Sequence, residues 1–430
     1  MGKNINRNFN GLFDPYKISK CDFILESIKK ISRKNNENYV LLAICPSSEE
    51  LIKASVVSAK KNNSPLLYAA TLNQVDSDGG YTGLNFNKFV EMVDQEVGKN
   101  DYKGPVVIGI DHGGPWLKDK QSLENWNYDR CMNSVKNSFE EALLSGYELI
   151  HVDPTVDKTL PLGESISIEI VVDRTVELIL HIENFRKTRN IKKISYEVGT
   201  EEVKGGVANI DIFKKFLELL KSKLINSGLE DIWPCFVVGK VGTDLHTTFF
   251  DIETAKMLIS ILKKYGSVLK GHYTDFVENP ADYPKSGMGG ANIGPELTII
   301  EFETLDKLGK IEKKLFKEQK ISKTSNIIEV ISKAVLDSDR WKKWLNKDEK
   351  FLGFNQLSSE RRDWLIKTGA RYILANSEVT SAKKILRPNL SKNNIDSEKI
   401  LTDAIVKGLD KYFSAYNLID LNSKLLKELN

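Results

Sequence analysis

The sequence of 430 residues is poor in cysteine and has almost no excess charge of either sign. Its four cysteines lie far apart in the chain, which excludes zinc ribbons and thioredoxin-type redox motifs. Cysteines this sparse are typical of a reducing, cytoplasmic environment. The 62 lysine and arginine residues nearly balance the 59 aspartate and glutamate residues. This balance excludes a strongly basic nucleic-acid-binding protein and an acidic disordered tail.

Long hydrophobic runs are missing as well. No apolar run approaches the roughly 20 residues that a transmembrane helix requires, and residues 1–10 lack the apolar core of a signal peptide. Asn6 stands where an N-myristoylation motif requires serine or threonine. We therefore expect a cytoplasmic protein that binds neither membranes nor nucleic acids. Its 41% of hydrophobic residues can build a core without disulfides or structural metals.

Short apolar segments alternate with amphipathic helical patterns through most of the chain. Eight segments predict strands, at residues 39–45, 65–71, 105–111, 148–153, 194–199, 234–240, 267–272 and 291–294. Most are rich in β-branched and aliphatic residues, as is typical of parallel strands buried on both faces. Eight strand–helix units over roughly 300 residues predict an α/β fold of the (β/α)₈ TIM-barrel type. A doubly wound open sheet is the alternative, but no GxGxxG motif follows the first predicted strand.

The character of the sequence changes after about Lys307, where lysine becomes frequent and strand patterns end. We predict an N-terminal segment and helix at 1–36, the barrel at 37–318, and a helical extension at 319–430 that packs on the barrel. Three tryptophans of the extension are expected in its core or at its contact with the barrel: Trp341, Trp344 and Trp364.

The chemistry of a TIM barrel takes place at the carboxyl ends of its strands, and this sequence has polar residues there. Following the predicted strands from the third to the eighth, they are Asp111 and His112, His151 and Asp153, Glu197 and Glu201, His246, His272 and Asp275, and Asn292 and Gly294. Four of the five histidines lie at strand ends. The fifth, His181, lies in a helical pattern and is expected to pack there.

Three histidines at the ends of three different strands can converge on one metal ion. Imidazole suits zinc and similar metals, and carboxylates can complete the ligand shell. Asp111 beside His112 is the natural acid/base residue, because a neighbouring metal would keep it ionised. The spacing alone leaves alternatives open, since His151 can equally be a hydrogen-bonded core residue and His246 an exposed loop residue. Glu197 requires a partner, because a buried carboxylate is costly without one.

Glycine-rich segments follow or precede three of the strands, at 78–83, 204–206 and 286–290. Their backbone amides can bind phosphate, although an ordinary turn is the alternative for each. Barrels often bind phosphate around the seventh and eighth loops. The segment 286–290, together with Asn292 and Gly294, is therefore the predicted phosphate site.

Several motifs, in this order, resemble the Z subunit of class II D-tagatose-1,6-bisphosphate aldolase. They are 70–83 (ATLNQVDSDGGYTG), 109–115 (GIDHGGP), 150–153 (IHVD), 199–201 (GTE), 272–275 (HYTD) and 293–297 (IGPEL). The resemblance extends from about Tyr39 into the C-terminal helices. It implies a (β/α)₈ barrel with a helical C-terminal extension.

The resemblance also implies roles for individual residues. By similarity to class II fructose-bisphosphate aldolases, Asp111 is the acid/base residue and a divalent metal, zinc or alternatively manganese, is bound by His112, His246 and His272. Glu197 or Glu201 would handle a second proton or bind hydroxyls. The residues predicted to bind a sugar or sugar phosphate are Asn73, Gln74, Asp153, Asp275, Asn292 and Gly294, with a turn cap as the alternative for the first two.

The implied reaction is metal-assisted cleavage and formation of a C–C bond, or C4 epimerisation, of a ketose or ketose phosphate. The family leaves an alternative, because its Z subunit is usually described as a non-catalytic partner that stabilises a zinc-dependent Y subunit, whereas related members act alone as ketose epimerases. A sugar-binding barrel without turnover is a third possibility. Asp111, His112 and His272 favour the enzyme, and we expect a homo-oligomer.

Overall fold

The computed structural model describes residues 9, 11–161, 164–199, 207–244 and 247–429. In this part of the chain, eight parallel strands are hydrogen-bonded in sequence order and the eighth pairs with the first. The strands are β1 (Leu41–Ile44), β2 (Leu66–Thr71), β3 (Val106–Gly113), β4 (Leu149–Val152), β5 (Ser195–Gly199), β6 (Phe236–Val238), β7 (Val268–Gly271) and β8 (Gly290–Ile293). The closed barrel confirms the predicted TIM-barrel fold, and the open-sheet alternative is wrong.

Helices connect the strands and then continue into the C-terminal extension. Those of the barrel region are α1 (Lys20–Asn35), α2 (Glu49–Lys61), α3 (Phe86–Lys99), α4 (Asp119–Leu123), α5 (Tyr128–Ser145), α6 (Ile168–Thr188), α7 (Ile210–Asn226), α8 (Ile252–Leu262), α9 (Asp282–Ser286) and α10 (Pro295–Lys317). The extension contains α11 (Ile327–Asp337), α12 (Ser359–Gly369), α13 (Ser377–Ser391), α14 (Ser397–Ala415) and α15 (Leu421–Leu429). Among the described helices, none is both long and apolar enough to cross a membrane.

The helices begin where the sequence supplies capping side chains. Ser48 accepts a hydrogen bond from the backbone N–H of Leu51 at the start of α2, and Asp251 accepts one from Thr254 at the start of α8. These side chains satisfy backbone donors that have no partner within the helix. The apolar face of α7, which includes Phe213 and Leu217, is buried against the barrel as its spacing predicts.

The C-terminal extension is joined to the barrel helices by a buried network of charges. The ammonium group of Lys383, on α13, lies 3.1 Å from Glu301 of α10 and 3.0 Å from Glu50 of α2. Glu301 is fully buried and also accepts a hydrogen bond from the Ser48 hydroxyl. Helix α14 packs on both α2 and α10. The extension therefore packs on the barrel, while the domain boundaries at 36 and 318 stay predictions.

Replacement of Lys383 by methionine should destabilise the protein, because it leaves the buried Glu301 carboxylate without its cation. Removing one partner of a buried ion pair typically costs about 3–5 kcal/mol of unfolding free energy. The matched control is Lys333→Met on α11, whose partner Asp337 is largely exposed, and it should leave stability unchanged. Urea unfolding followed by circular dichroism measures both. Equal midpoints for the two variants would contradict the buried network.

Candidate active site

Asp111 and His112 are consecutive residues at the end of β3, and their side chains point to the same side of the strand. In a regular strand neighbouring side chains point to opposite faces. The pairing of β3 with β4 is interrupted between Ile110 and Gly113, and His112 has a left-handed φ of 48°. This bulge brings Nε2 of His112 to 3.9 Å from Oδ2 of Asp111. Bulges and unfavourable backbone angles of this kind are concentrated at active sites.

Three imidazole rings meet at this end of the barrel. The ring centroids are 4.7 Å apart for His112 and His272, 5.0 Å for His112 and His151, and 5.3 Å for His151 and His272. One potential ligand atom from each ring and one from Asp111 all lie within 4.8 Å of one another. Within the described residues, this is the one such group of histidine, cysteine and acidic side chains. The structure thus joins two predicted ligands, His112 and His272, with His151.

A second carboxylate orients the His112 ring. Nδ1 of His112 is 2.6 Å from Oδ2 of Asp153, which also accepts a hydrogen bond from the Thr155 hydroxyl through its other oxygen. Burial disfavours the imidazolium form, but Asp111 and Asp153 outweigh it and raise the pKa of His112 to about 9. Burial raises the pKa of Asp153, but the hydrogen bond and charge of His112 outweigh it and lower that pKa to about 2. Nε2 of His112 is left facing the cluster, as in metal-binding histidines held by a carboxylate.

Glu197 forms the opposite wall of the site. In the register of the sheet it lies beside His151, so both side chains point into the barrel. Its Oε2 accepts a hydrogen bond from Lys270 at 2.5 Å, and its Oε1 is 3.0 Å from Nε2 of His272. Burial raises the pKa of Glu197, but the charge of Lys270 and the neighbouring histidines lower it to about 2. Glu197 is therefore ionised, and it has the partners that its burial requires.

The donor set fits a divalent metal ion. The buried carboxylates of Asp111, Asp153 and Glu197 face one buried ammonium, that of Lys270, so two negative charges are in excess when the imidazoles are neutral. Nε2 of His151 is buried and has no hydrogen-bond partner among the described residues. A divalent cation would balance the charge, and imidazole and carboxylate donors suit zinc or manganese. At Nε2 of His272, a bound ion would replace the contact with Glu197.

Asn292 and Asp275 border the cluster on β8 and on the loop after β7. Nδ2 of Asn292 donates a hydrogen bond to Oδ2 of Asp111 at 3.1 Å, which fixes that carboxylate. Oδ1 of Asp275 accepts hydrogen bonds from the backbone N–H groups of Gly294 and Glu296, at 3.0 and 2.8 Å. Burial raises the pKa of Asp275 to about 7. Asn292 thus lies in the site, whereas Asp275 and Gly294 bind each other at the start of α10.

Asn73 and Gln74 use their amide groups within the protein. Asn73 donates to the carbonyl of Leu117 at 2.9 Å and accepts from the backbone N–H of Asp119 at 2.8 Å. Gln74 is buried, accepts from the backbone N–H of Thr71 and donates to the carbonyl of Pro46. These bonds correspond to the turn-capping alternative, and sugar binding by either residue stays a prediction.

The other residues and segments singled out in the sequence fall into three groups. The segment 286–290 precedes β8, and its Gly289 carbonyl accepts a hydrogen bond from the first residue of β1, Leu41. It therefore lies at the amino end of the strands, opposite Asp111, so its expected place with the site is wrong, and phosphate binding by this segment stays a prediction. Glu201, His246 and the segment 204–206 lie outside the described residues. His181 lies on α6 beside Glu140, away from the cluster.

Two residues of the site were not predicted as functional residues. The sequence left the role of His151 open, because a histidine in an apolar strand gives the same pattern whether it packs in the core or binds a metal ion. Lys270 was overlooked, although a lysine within the apolar run of β7 is itself a signal. Its register with Gly290 places the side chain inside the barrel, where it is fully buried. A charged residue in a strand that is buried on both faces requires a partner of opposite charge.

Substitution of Gly114 by alanine should disturb the site through the backbone. A Cβ atom at Gly114 would lie 1.8 Å from the carbonyl oxygen of Asp153, so the segment that holds His112 must shift. We expect destabilisation of about 1–3 kcal/mol, as for other overpacked positions. The control is Gly98→Ala in α3, where the added Cβ meets open space and should not lower stability. Thermal unfolding midpoints measure both, and an unchanged midpoint for Gly114→Ala would contradict this packing.

Comparison with known proteins connects this site to a family. The chain is 24% identical over 385 residues to the D-tagatose-1,6-bisphosphate aldolase subunit GatZ of Escherichia coli O1:K1 / APEC, an alignment that covers 83% of this chain and 86% of that protein. The crystal structure of a probable tagatose 6 phosphate kinase from Sinorhizobium meliloti 1021 matches with a TM-score of 0.70 at 19% identity, covering 87% of this chain and all (100%) of that one. A glycerol-complexed fructuronate-tagaturonate epimerase, UxaE from Cohnella laeviribosi, matches with a TM-score of 0.51 at 12% identity, covering 87% of this chain and 81% of that one.

The structural similarities show a shared fold, and the sequence match shows the family. The sequence profile of the family described as D-tagatose-1,6-bisphosphate aldolase subunit GatZ/KbaZ-like matches residues 25–415. This match covers the barrel, the cluster at its mouth and most of the C-terminal extension. The resemblance found in the sequence motifs is confirmed, and the chain belongs to the D-tagatose-1,6-bisphosphate aldolase subunit GatZ/KbaZ-like family.

Proposed function

We propose that the protein is a metal-dependent enzyme of the class II aldolase type that acts on a ketose or ketose phosphate. The observation that carries the proposal is the buried cluster of Asp111, His112, His151 and His272 at the carboxyl end of the barrel. Burying these groups together is costly, and structural support alone would not require it. The chain belongs to a family that is named after a subunit of D-tagatose-1,6-bisphosphate aldolase, and this membership supports a sugar phosphate as the substrate.

The metal would be held by His112 and His272, with His151 completing the ligand shell. When bound, a divalent ion would act as a Lewis acid that stabilises the negative charge developing on the substrate during C–C cleavage. Zinc is the expected ion and manganese the alternative, and the predicted ligand His246 remains part of this proposal. Asp153 would hold the His112 ring, since it occupies Nδ1 and leaves Nε2 for the ion.

Asp111 would transfer the proton. Burial raises the pKa of its carboxyl group, but the charges of His112 and His272 and the hydrogen bond with His151 hold that pKa well below its usual range. The ionised carboxylate accepts the proton of the C4 hydroxyl while the C3–C4 bond breaks. The electron pair of that bond stays on the C3 fragment as an enediolate, and C4 becomes an aldehyde. In the reverse direction Asp111 returns the proton to the new hydroxyl.

The stereochemical outcome depends on the face of the aldehyde that is attacked. Addition to the original face regenerates the substrate, as in a reversible aldolase, and addition to the opposite face inverts C4. Both oxygens of Glu197 are engaged, by Lys270 and His272. A metal ion at Nε2 of His272 would release Oε1 of Glu197 while Lys270 still holds Oε2. We therefore propose that Glu197 or Glu201 handles a second proton or binds a hydroxyl of the substrate. Asn292 would contribute to substrate binding beside Asp111.

A second candidate function is a non-catalytic subunit of a two-chain aldolase. Both the family and the relative from Escherichia coli are named as aldolase subunits, which favours it. In that case a Y-type chain would carry the reaction and this barrel would stabilise it. The two candidates differ in whether this chain alone holds a metal and turns over sugar phosphates.

Metal content and turnover of the purified chain test the proposal. We expect near-stoichiometric zinc or manganese in the wild type, and loss of the metal in His272→Ala. Asp111→Asn should keep the metal but lose roughly 10²–10⁴-fold in turnover, the usual contribution of a positioned acid/base group. Metal is measured by mass spectrometry, and turnover by cleavage and C4 inversion of tagatose- and fructose-type ketose phosphates.

The control for this experiment is His181→Ala, which removes a histidine of α6 outside the cluster and should keep both metal and turnover. Absence of metal in the wild type, even after incubation with divalent ions, would refute the metal-dependent enzyme. Metal-free protein that co-purifies with a second aldolase-like chain would favour the subunit. Metal without turnover of any ketose phosphate would refute the catalytic part.

A further inference from the structure

Arg371 of the C-terminal extension lies at the mouth of the barrel, and one nitrogen of its guanidinium group has no hydrogen-bond partner in the described ranges. Arg371 lies in the turn Ala370–Tyr372 that follows α12. Its Nη1 atom is buried and makes no hydrogen bond to any described residue. Burial lowers the pKa of this guanidinium, but the neighbouring tyrosines 372, 81 and 273 outweigh it and hold the pKa above its usual range. A guanidinium nitrogen buried among phenol rings is costly unless an anion completes its hydrogen bonds.

The neighbours of Arg371 form a second basic and aromatic cluster. The guanidinium of Arg340 lies 5.5 Å from the ring centroid of Tyr81 and 5.0 Å from that of Tyr372. The two tyrosine rings meet edge to face with their centroids 5.2 Å apart. Nη1 of Arg340 is buried and, within the described part of the chain, has no hydrogen-bond partner, whereas the buried Tyr81 hydroxyl is hydrogen-bonded to Arg371. One buried nitrogen on each of the two arginines is thus left to bind something else.

This cluster lies on the same end of the barrel as Asp111. The guanidinium of Arg371 lies 5.2 Å from the ring centroid of Tyr372. That ring meets the ring of Tyr81, which belongs to the loop after β2 and so to the carboxyl end of the strands. The guanidinium therefore lies at the mouth of the barrel, beside the loop after β2.

The start of α10, which is the usual place for an anion in such a barrel, is already occupied. Asp275 accepts hydrogen bonds from the N–H groups of Gly294 and Glu296, and Pro295 between them has no N–H group. A phosphate there would have to displace a carboxylate. Arg371 and Arg340 are therefore the better anion site at this end of the barrel.

The loop after β2 is built to present Tyr81 to these arginines. Gly80 adopts a φ of 52°, and a Cβ at this position would lie 2.4 Å from the carbonyl oxygen of Gln74. Only glycine fits this tight approach. The same loop is tied by Asn73 to the backbone of Asp119, whose carboxylate lies 3.5 Å from Nη2 of Arg340. The glycine-rich segment 78–83 thus supports the cluster by its fold.

We propose that Arg371, together with Arg340 and Tyr81, binds an oxyanion of the substrate, so that the C-terminal extension completes the substrate site of the barrel. This inference rests on the proposed function, because it names the charged group of the sugar that the metal cluster would act on. An arginine fork matches the geometry of both phosphate and carboxylate. The oxyanion is therefore the phosphate of a ketose phosphate or the carboxylate of an acidic sugar.

Titration of the full-length protein with inorganic phosphate and, in parallel, with acetate tests this proposal without requiring turnover. Isothermal calorimetry of the wild type should detect binding of at least one anion. Arg371→Gln should weaken that binding at least about tenfold, the usual effect of losing hydrogen bonds to a charged group. Arg371→Lys should weaken it less, because the charge remains while the fork is lost. Preference for phosphate or for acetate identifies the type of substrate.

The matched control is Arg130→Gln, which removes an arginine stacked on Trp126 at the outer surface and should leave anion binding unchanged. Circular dichroism and metal content verify that each variant is folded. Wild-type protein that binds neither anion, or Arg371→Gln protein that binds as the wild type does, would overturn the proposal. Anion binding through Arg371 in a protein that holds no metal would support this subsite while refuting the proposed enzyme.

Discussion

The site depends on one constraint, the burial of three carboxylates around three imidazole rings at the end of a barrel. Asp111, Asp153 and Glu197 are all removed from water, and each ionised group needs a cation or several donors close by. Lys270 supplies one cation and the three imidazoles supply hydrogen bonds. Much of the local geometry follows from this demand, including the bulge of β3 and the fully buried lysine of β7. A divalent ion that took the place of the His112 proton would leave the imidazoles neutral and balance the two negative charges then in excess.

The barrel could be predicted because its strands are buried on both faces. Such strands appear as short apolar runs, and each of the eight predicted runs overlaps a strand. The polar residues of the site could be predicted for the same reason. In a parallel barrel, a residue at the carboxyl end of a strand lies at the carboxyl end of the barrel. The bulge at His112 could not be predicted, because it is a property of the backbone that no residue type at this position indicates. The segment 286–290 was misplaced because it comes directly before the eighth predicted strand, and a segment that precedes a parallel strand lies at the amino end of the barrel.

The C-terminal extension marks the limit of prediction from local patterns. Its helices follow from amphipathic spacing, but the surface on which they pack is determined by long-range contacts such as that between Lys383 and Glu301. Those contacts bring Arg371 to the barrel mouth from a position far along the chain. Family membership, shown over residues 25–415, is compatible with a role of the extension in the site itself. In the account proposed here, barrel and extension together form one substrate site.

The most direct test of the metal cluster is a crystal structure of the protein grown with zinc and measured at the zinc absorption edge. The account predicts one strong anomalous peak between the imidazoles, about 2.0–2.1 Å from ring nitrogens of His112 and His272. The ring of His112 should keep its contact with Asp153. An ordered cluster without such a peak, or a zinc ion bound only elsewhere on the molecule, would contradict the central claim.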